Sequence, residues 1–331
     1  MGFTRKLLVL AVALTPILAP SVANAAPPSG KTTVSRLVTG LQGSVGSTVG
    51  PDGALYVTEG ALGRVTRVDP KTGATTTFAS GLPRTIPAVG LGPTDVAFLG
   101  RTAYVLVTLV GPDVGGQDVV GIYRVDGTNR VTVIADIGQF AIDNPPEPAF
   151  FIPSGVQYAM QPYRGGFLVT DGHHNRVYRV TLDGTVSELI AFDDIVPTGL
   201  AVRGRTIYMA EAGPVPHLPE NGKVVKFGPR STTATQVASG APLVVDVEFG
   251  RGHRLYALSQ GHFTPGNPEG SPADPNTGAL LQVNGDGTMT PIAAGLDRPT
   301  SLEFIRNTAY VVTLGGDVLK IKNVSGGHHG A

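Results

Sequence analysis

Carboxylates, hydroxyls and histidines stand at matched places along this chain, beside short apolar runs. Thr94, Asp95, Thr198 and Asp246 open such runs, and Glu59, Asp171, Glu211 and Gln260 close them. His173, His217 and His262 follow in or beside the connections. Converging carboxylate and hydroxyl oxygens would hold a hard divalent cation such as Ca2+, which takes about six to eight oxygens; Asp95, Glu211 and Asp246 are the candidate ligands. A histidine beside a carboxylate would suit acid–base chemistry. The structural reading competes with both: polar groups at strand ends bond neighbouring backbone, and the repeated Pro-(Thr/Ser) at 93–94, 153–154, 197–198 and 299–300 suits that role. For the histidines the structural reading is the stronger one, with His173-His174 a plain surface turn. Nucleophile chemistry has little support, since there is no cysteine and no Gly-x-Ser-x-Gly, and no phosphate-binding Gly-x-x-x-x-Gly-Lys-(Ser/Thr) occurs.

The elements that must position these groups come as a repeat. LYVTEG (55–60), AYVLVT (103–108), FLVTDG (167–172), IYMAEA (207–212), LYALSQ (255–260) and AYVVTL (309–314) start 48, 64, 40, 48 and 54 residues apart. A repeat of β-type segments at this period means a propeller or solenoid, because one unit cannot bury its own apolar faces. Each unit resolves into four strands, a to d, except the sixth, which lacks its last. Residues 34–41 (VSRLVTGL) match the strand-d pattern of TTFASGL (76–82) and PIAAGL (291–296). The first strand is therefore predicted to complete the last sheet, which protects both edges and favours a closed all-β, six-bladed propeller of four-stranded blades.

The 331 residues include 45 glycines and 27 prolines, and charged residues make up 15%. Arg5-Lys6, the apolar stretch from Leu7 to Leu18 and Ala23-Asn24-Ala25 read as a secretory signal cleaved after Ala25. The expected organisation is a signal at 1–25, a linker at 26–33, the propeller at 34–324 and a flexible tail at 325–331. Without the signal the chain carries 23 basic and 25 acidic residues, so bulk charge attracts neither nucleic acid nor an anionic membrane. A secreted, extracellular monomer that does not insert in a membrane is expected.

In a propeller the d–a and b–c connections share one face. Here the long connections 82–93, 109–119, 137–153, 212–222 and 261–277 are all of those types, while the opposite face has tight turns such as Pro51-Asp52-Gly53. Fifteen of the prolines fall in the five long loops, which stiffens them. The working face is therefore the long-loop face. Phe140, Phe150, Phe151, Tyr158 and Phe263 are expected to line a funnel there.

Asp171-Gly172-His173-His174-Asn175-Arg176-Val177, Pro153-Ser154-Gly155-Val156 and Pro197-Thr198-Gly199-Leu200 resemble the NHL repeat. With the signal, Gly50-Pro51-Asp52-Gly53-Ala54-Leu55-Tyr56-Val57-Thr58-Glu59 and Pro93-Thr94-Asp95-Val96-Ala97-Phe98, the whole mature chain is similar to the ScyD/ScyE family, a resemblance that implies no settled activity. The chain also resembles the six-bladed gluconolactonase (SMP-30-like) hydrolases, whose channel metal sits at Pro-Asn-Gly and Pro-Asp-Gly strand openings. Here Pro197-Thr198-Gly199 and Pro153-Ser154-Gly155 put hydroxyls where that family has better metal donors. The expected function is binding of a small molecule or extracellular protein on the long-loop face, with a metal-dependent lactonase as the alternative.

Overall fold

The computed structural model describes residues 32–87, 89–268 and 270–324. The signal, most of the linker and the tail expected from the sequence lie outside them.

Val, Thr, Ile and Tyr fill the apolar runs and form strands, and glycines set the turns between them. The strands make six four-stranded antiparallel sheets, five of them consecutive in sequence. The sixth joins Thr33–Val38 to Val318–Lys322, with Thr33 opposite Lys322 and Val38 opposite Val318. Leu41 N–H donates to Gly316 O at 3.0 Å just beyond this pairing. The chain is a six-bladed β-propeller closed by its first strand. Thr33, Lys322 and the Arg306 turn share one end of blade 6, so the propeller's first and last strands both have their outer ends at the tight-turn face.

Six apolar clusters form the core, one at each junction between neighbouring blades. Tyr56 of blade 1, for instance, meets Phe98 of blade 2 edge-on at 4.8 Å. Tyr104 of blade 2 packs on Phe167 of blade 3 at 5.0 Å, and Tyr256 of blade 5 on Phe304 of blade 6 at 4.8 Å. The closing junction buries Val38 and Leu41 with Leu55, Val57, Tyr310 and Val312. No single sheet owns a core, so each blade depends on two neighbours.

Strand a of blade 3 is Gln157–Tyr163, beginning after the Pro153-Ser154-Gly155 opening. Gly155, at φ +75°, leaves no room for a side chain because a Cβ would lie 2.0 Å from Asp171 Oδ2; the segment turns there before the strand begins. Connection 137–153 contains the helix Ile137–Asp143, capped by Asp136, whose side chain accepts from Gln139 N–H at 2.8 Å.

Deleting residues 32–40 should leave blade 6 with three strands and an open edge. A lower, broader melting transition with self-association by size-exclusion chromatography is expected. Ser35→Ala, which removes an exposed hydroxyl bonded to Lys320 O at 3.3 Å, should change the melting temperature little.

Candidate functional site

Strand a of each blade lines the axis, and the candidate carboxylates at these strand openings are used to stitch blades together. Asp95 of blade 2 accepts Val96 N–H at 2.8 Å and, across to blade 3, Met160 N–H at 2.7 Å. Asp246 of blade 5 does the same with Val247 N–H at 2.8 Å and Leu302 N–H of blade 6 at 2.7 Å. Each needs a glycine on the preceding blade. A Cβ at Gly46 would lie 2.6 Å from Asp95 Oδ1, and one at Gly199 would lie 2.2 Å from Asp246 Oδ1. Hydroxyls complete the ring: Thr198 donates to Val244 O at 2.9 Å, Thr300 to Val45 O at 2.7 Å and Thr94 to Tyr158 O at 3.3 Å. Ser47 and Ser301 bond each other at 2.9 Å.

Tyr158 crosses the axis. Its hydroxyl donates to Thr300 O at 3.1 Å, and blades 3 and 6 stand opposite one another. Met160 and Leu302, which Asp95 and Asp246 hold, lie two residues further toward the tight-turn end. The carboxyls therefore sit beneath the Tyr158 bridge as seen from the long loops. The cavity they line, together with Glu248 and Glu303, has a volume of about 40 Å3. That is room for about three water molecules and well short of the roughly 300–1,000 Å3 of small-molecule sites.

Burial pushes Asp95 up to about 8, against the pull of the Met160 and Val96 N–H groups and with a further push from the charge of Asp246. Burial likewise pushes Asp246 up to about 7. Glu248 and Glu303 are raised by burial first and then by neighbouring carboxylates, Asp246 acting on both and Glu248 and Asp95 also on Glu303. Among the described residues no Lys, Arg or His lines this cavity. Sequence reasoning missed Glu248 and Glu303. Their two-residue spacing from Asp246 and Ser301 puts them on the axial side of their strands and was the available signal.

The strand-b ends behave differently from one another. Glu59 is buried; burial alone would raise it, but Arg64 Nε at 2.6 Å, the Thr66 hydroxyl and Gln42 N–H at 3.0 Å hold it below the usual carboxylate range. Asp171 accepts from Val156, His173 and His174 N–H, from Gln157 Nε2 and from the Tyr178 hydroxyl, all between 3.0 and 3.2 Å. Gln260 Oε1 accepts Ala273 N–H at 2.9 Å. Glu211 is the exception: among the described residues nothing hydrogen-bonds its buried carboxyl. Burial pushes it up to about 7, with Lys223 pulling the other way. Glu211 does not line the axial cavity that Asp95 and Asp246 share. Among the described residues no three His, Asp or Glu side chains gather as a metal centre would need.

His173 and His174 are buried rather than a surface turn. They clamp one residue of the 137–153 connection: Ile152 N–H donates to His173 Nε2 at 3.2 Å, and His174 Nε2 bonds Ile152 O at 3.0 Å. The two bonds require opposite roles of the two rings, acceptor at His173 and donor at His174. His217 Nδ1 bonds Gly213 O at 2.6 Å, and its ring stands edge-on to Phe263 at 5.1 Å. His262 is exposed. The expected funnel of rings is only partly present. Phe140 packs on Tyr178 at 5.8 Å and Phe263 is buried, because both anchor their loops to the blades. Tyr158 bridges the axis. Phe150 and Phe151 pack against His173, with Phe151 still 72% exposed.

Compared with known protein families and with curated proteins, the chain matches none. Solved structures share its fold. A gluconolactonase from Xanthomonas campestris is 14% identical, with a TM-score of 0.61 over 90% of this chain and 95% of that one. A Thermus thermophilus protein assigned as an oxidoreductase (glucose dehydrogenase) is 19% identical, with 0.57 over 88% and 99%. Virginiamycin B lyase from Staphylococcus aureus is 12% identical, with 0.53 over 88% and 99%. At these identities the likeness is one of fold. The chain has the six-bladed architecture of gluconolactonase-like and virginiamycin B lyase propellers.

The axial acids fix the sign of a pH effect. Their folded pKa values lie above their unfolded ones, so the folded chain binds more protons, and this stabilisation is lost as pH rises from about 4 to about 8. The melting temperature should fall between pH 6 and pH 9, and Glu248→Gln/Glu303→Gln should flatten that fall. An unchanged slope in the double variant would contradict the assignment.

Proposed function

We propose that this chain is an exported binding propeller of the NHL-like ScyD/ScyE type. Its long-loop face takes a small molecule or a protein partner, and its axial channel serves the fold. One observation carries this reading. Of the eight most exposed large apolar side chains among the described residues, five (Val89, Ile142, Phe151, Val215 and Leu218) stand in the long connections of that one face. Exposed apolar groups concentrated on one face favour an interaction surface there. Connections of the same face also carry Asp113, Asp118, Asp143, Glu147, Asp193 and Asp194, against Arg84 and Arg298. The surface suits a ligand with an apolar body and cationic groups. Glu211, with its carboxyl outside any hydrogen bond, and exposed His262 are the polar contacts offered to it. Export rests on Arg5-Lys6, Leu7–Leu18 and Ala23-Asn24-Ala25.

A metal-dependent lactonase is the second reading, supported by the fold shared with a gluconolactonase and by four carboxyls on one channel. A cation would need its oxygen donors from Asp95, Asp246, Glu248 and Glu303, which do not gather as a metal centre requires among the described residues, and would supply Lewis-acid polarisation of a carbonyl. Against this reading, both Asp95 oxygens and both Asp246 oxygens already accept backbone N–H groups, and Tyr158 stands between them and the long loops.

Thermal-shift measurements with amphiphilic cations, neutral sugar lactones and anionic amphiphiles separate the two. Cationic amphiphiles should raise the melting temperature by several degrees at about 100 times their Kd. Phe151→Ala/Leu218→Ala should abolish that shift while leaving the ligand-free melting temperature in place. Lactone turnover lost on chelation, with no stabilising cation, would favour the hydrolase instead.

A further inference from the structure

The summed charge is close to zero, yet the two faces are opposite in sign. Five of the six a–b turns, the ones nearest the axis on the tight-turn face, carry exposed arginine: Arg101 in blade 2, Arg164 in blade 3, and Arg203 with Arg205 in blade 4. Arg251 and Arg254 follow in blade 5 and Arg306 in blade 6. Blade 1 has Asp52 at that position, and it is already paired with Arg67 at 2.7 Å. None of the seven arginines is ion-paired to a carboxylate among the described residues. Arg203 lies over the Phe249 ring of the next blade at 6.0 Å, which holds part of the ring in place. The outer c–d turns are mixed, with Lys71, Arg130 and Arg230 against Asp69, Asp126, Asp183 and Asp286. Positive charge is therefore concentrated around the axis.

We propose that the tight-turn face docks on an anionic lipid bilayer. Two features favour that occupant. The arginines occupy equivalent turns of five blades, so they share one plane, and tight turns make that plane shallow; a bilayer offers phosphates in a plane. Guanidinium groups bind phosphate oxygens in pairs, and each basic residue held near an anionic leaflet strengthens attachment. The acidic long-loop face is repelled by the same surface, so the charge separation also sets orientation and turns the long loops away from the lipid. Docking of this kind is peripheral and inserts no strand or helix.

Cosedimentation with vesicles tests it, using the chain from Ala26 onward, which holds all the strands of the propeller. The expected result is binding to vesicles of equal parts phosphatidylglycerol and phosphatidylcholine, little binding to phosphatidylcholine alone, and release at about 0.5 M salt. Arg101→Gln/Arg205→Gln/Arg251→Gln/Arg306→Gln should bind at least about tenfold more weakly. Arg205→Glu alone should weaken binding measurably and serves if the quadruple variant melts early. Asp113→Asn/Asp118→Asn on the opposite face should bind as the parent does. Equal binding by the arginine variants would overturn the proposal, as would no binding to anionic vesicles. Capture by soluble polyphosphate or nucleic acid with no vesicle binding would overturn it too.

Discussion

Six sheets must be joined around an axis that no one of them can fill, and hydrogen bonds from side chains to the backbone of the next blade do the joining. At the hub, strand a of one blade cannot pair with strand a of the next as in a continuous sheet, so backbone groups there need other partners. Asp95 and Asp246 provide them for Met160 and Leu302, three blades apart and with the same geometry. Thr198 and Thr300 provide them for Val244 and Val45. The glycines at 46 and 199 are there because these carboxylates come too close for any side chain. The hub thus has an approximate two-fold pattern laid over its six blades.

This constraint directs where function can lie. A carboxylate that accepts two backbone N–H groups has fewer lone pairs left for a cation, and burial keeps these acids protonated to near-neutral pH. Tyr158 separates them from the long loops, and the cavity below it, of about 40 Å3, offers no room for a sugar. What remains are the two outer faces, which differ in loop length, in exposed apolar area and in charge. We propose the long-loop face for an apolar, cationic ligand and the tight-turn face for an anionic surface.

Much of this was legible in the sequence. The period of the apolar runs gave six blades, and the match of residues 34–41 to strand d gave the closure. The roles of the polar residues were harder to read. An aspartate at a strand opening looks the same whether it binds a cation or a neighbouring N–H, and the difference lies in Gly46, Met160, Gly199 and Leu302, which are distant in sequence. His173-His174 follows a glycine and resembles a surface turn; it is buried because residues 144–153 fold back over it, and no local pattern announces that. In sequence the helix Ile137–Asp143 reads only as part of a long connection, although the capping Asp136 was an available cue. The separation of charge needed the topology first, since a summed charge carries no position.

The most direct test of the hub is the melting temperature of Asp95→Asn/Asp246→Asn, measured alongside a calorimetric titration with Ca2+. Asparagine keeps the shape but replaces one acceptor oxygen of each pair with a donor, so one buried N–H per site loses its partner at about 1–3 kcal/mol each. The account predicts a fall of roughly 5–20 °C, on the order of 2–4 °C per kcal/mol, with no Ca2+ binding to lose. An unchanged melting temperature with loss of a Ca2+ site present in the parent would contradict it.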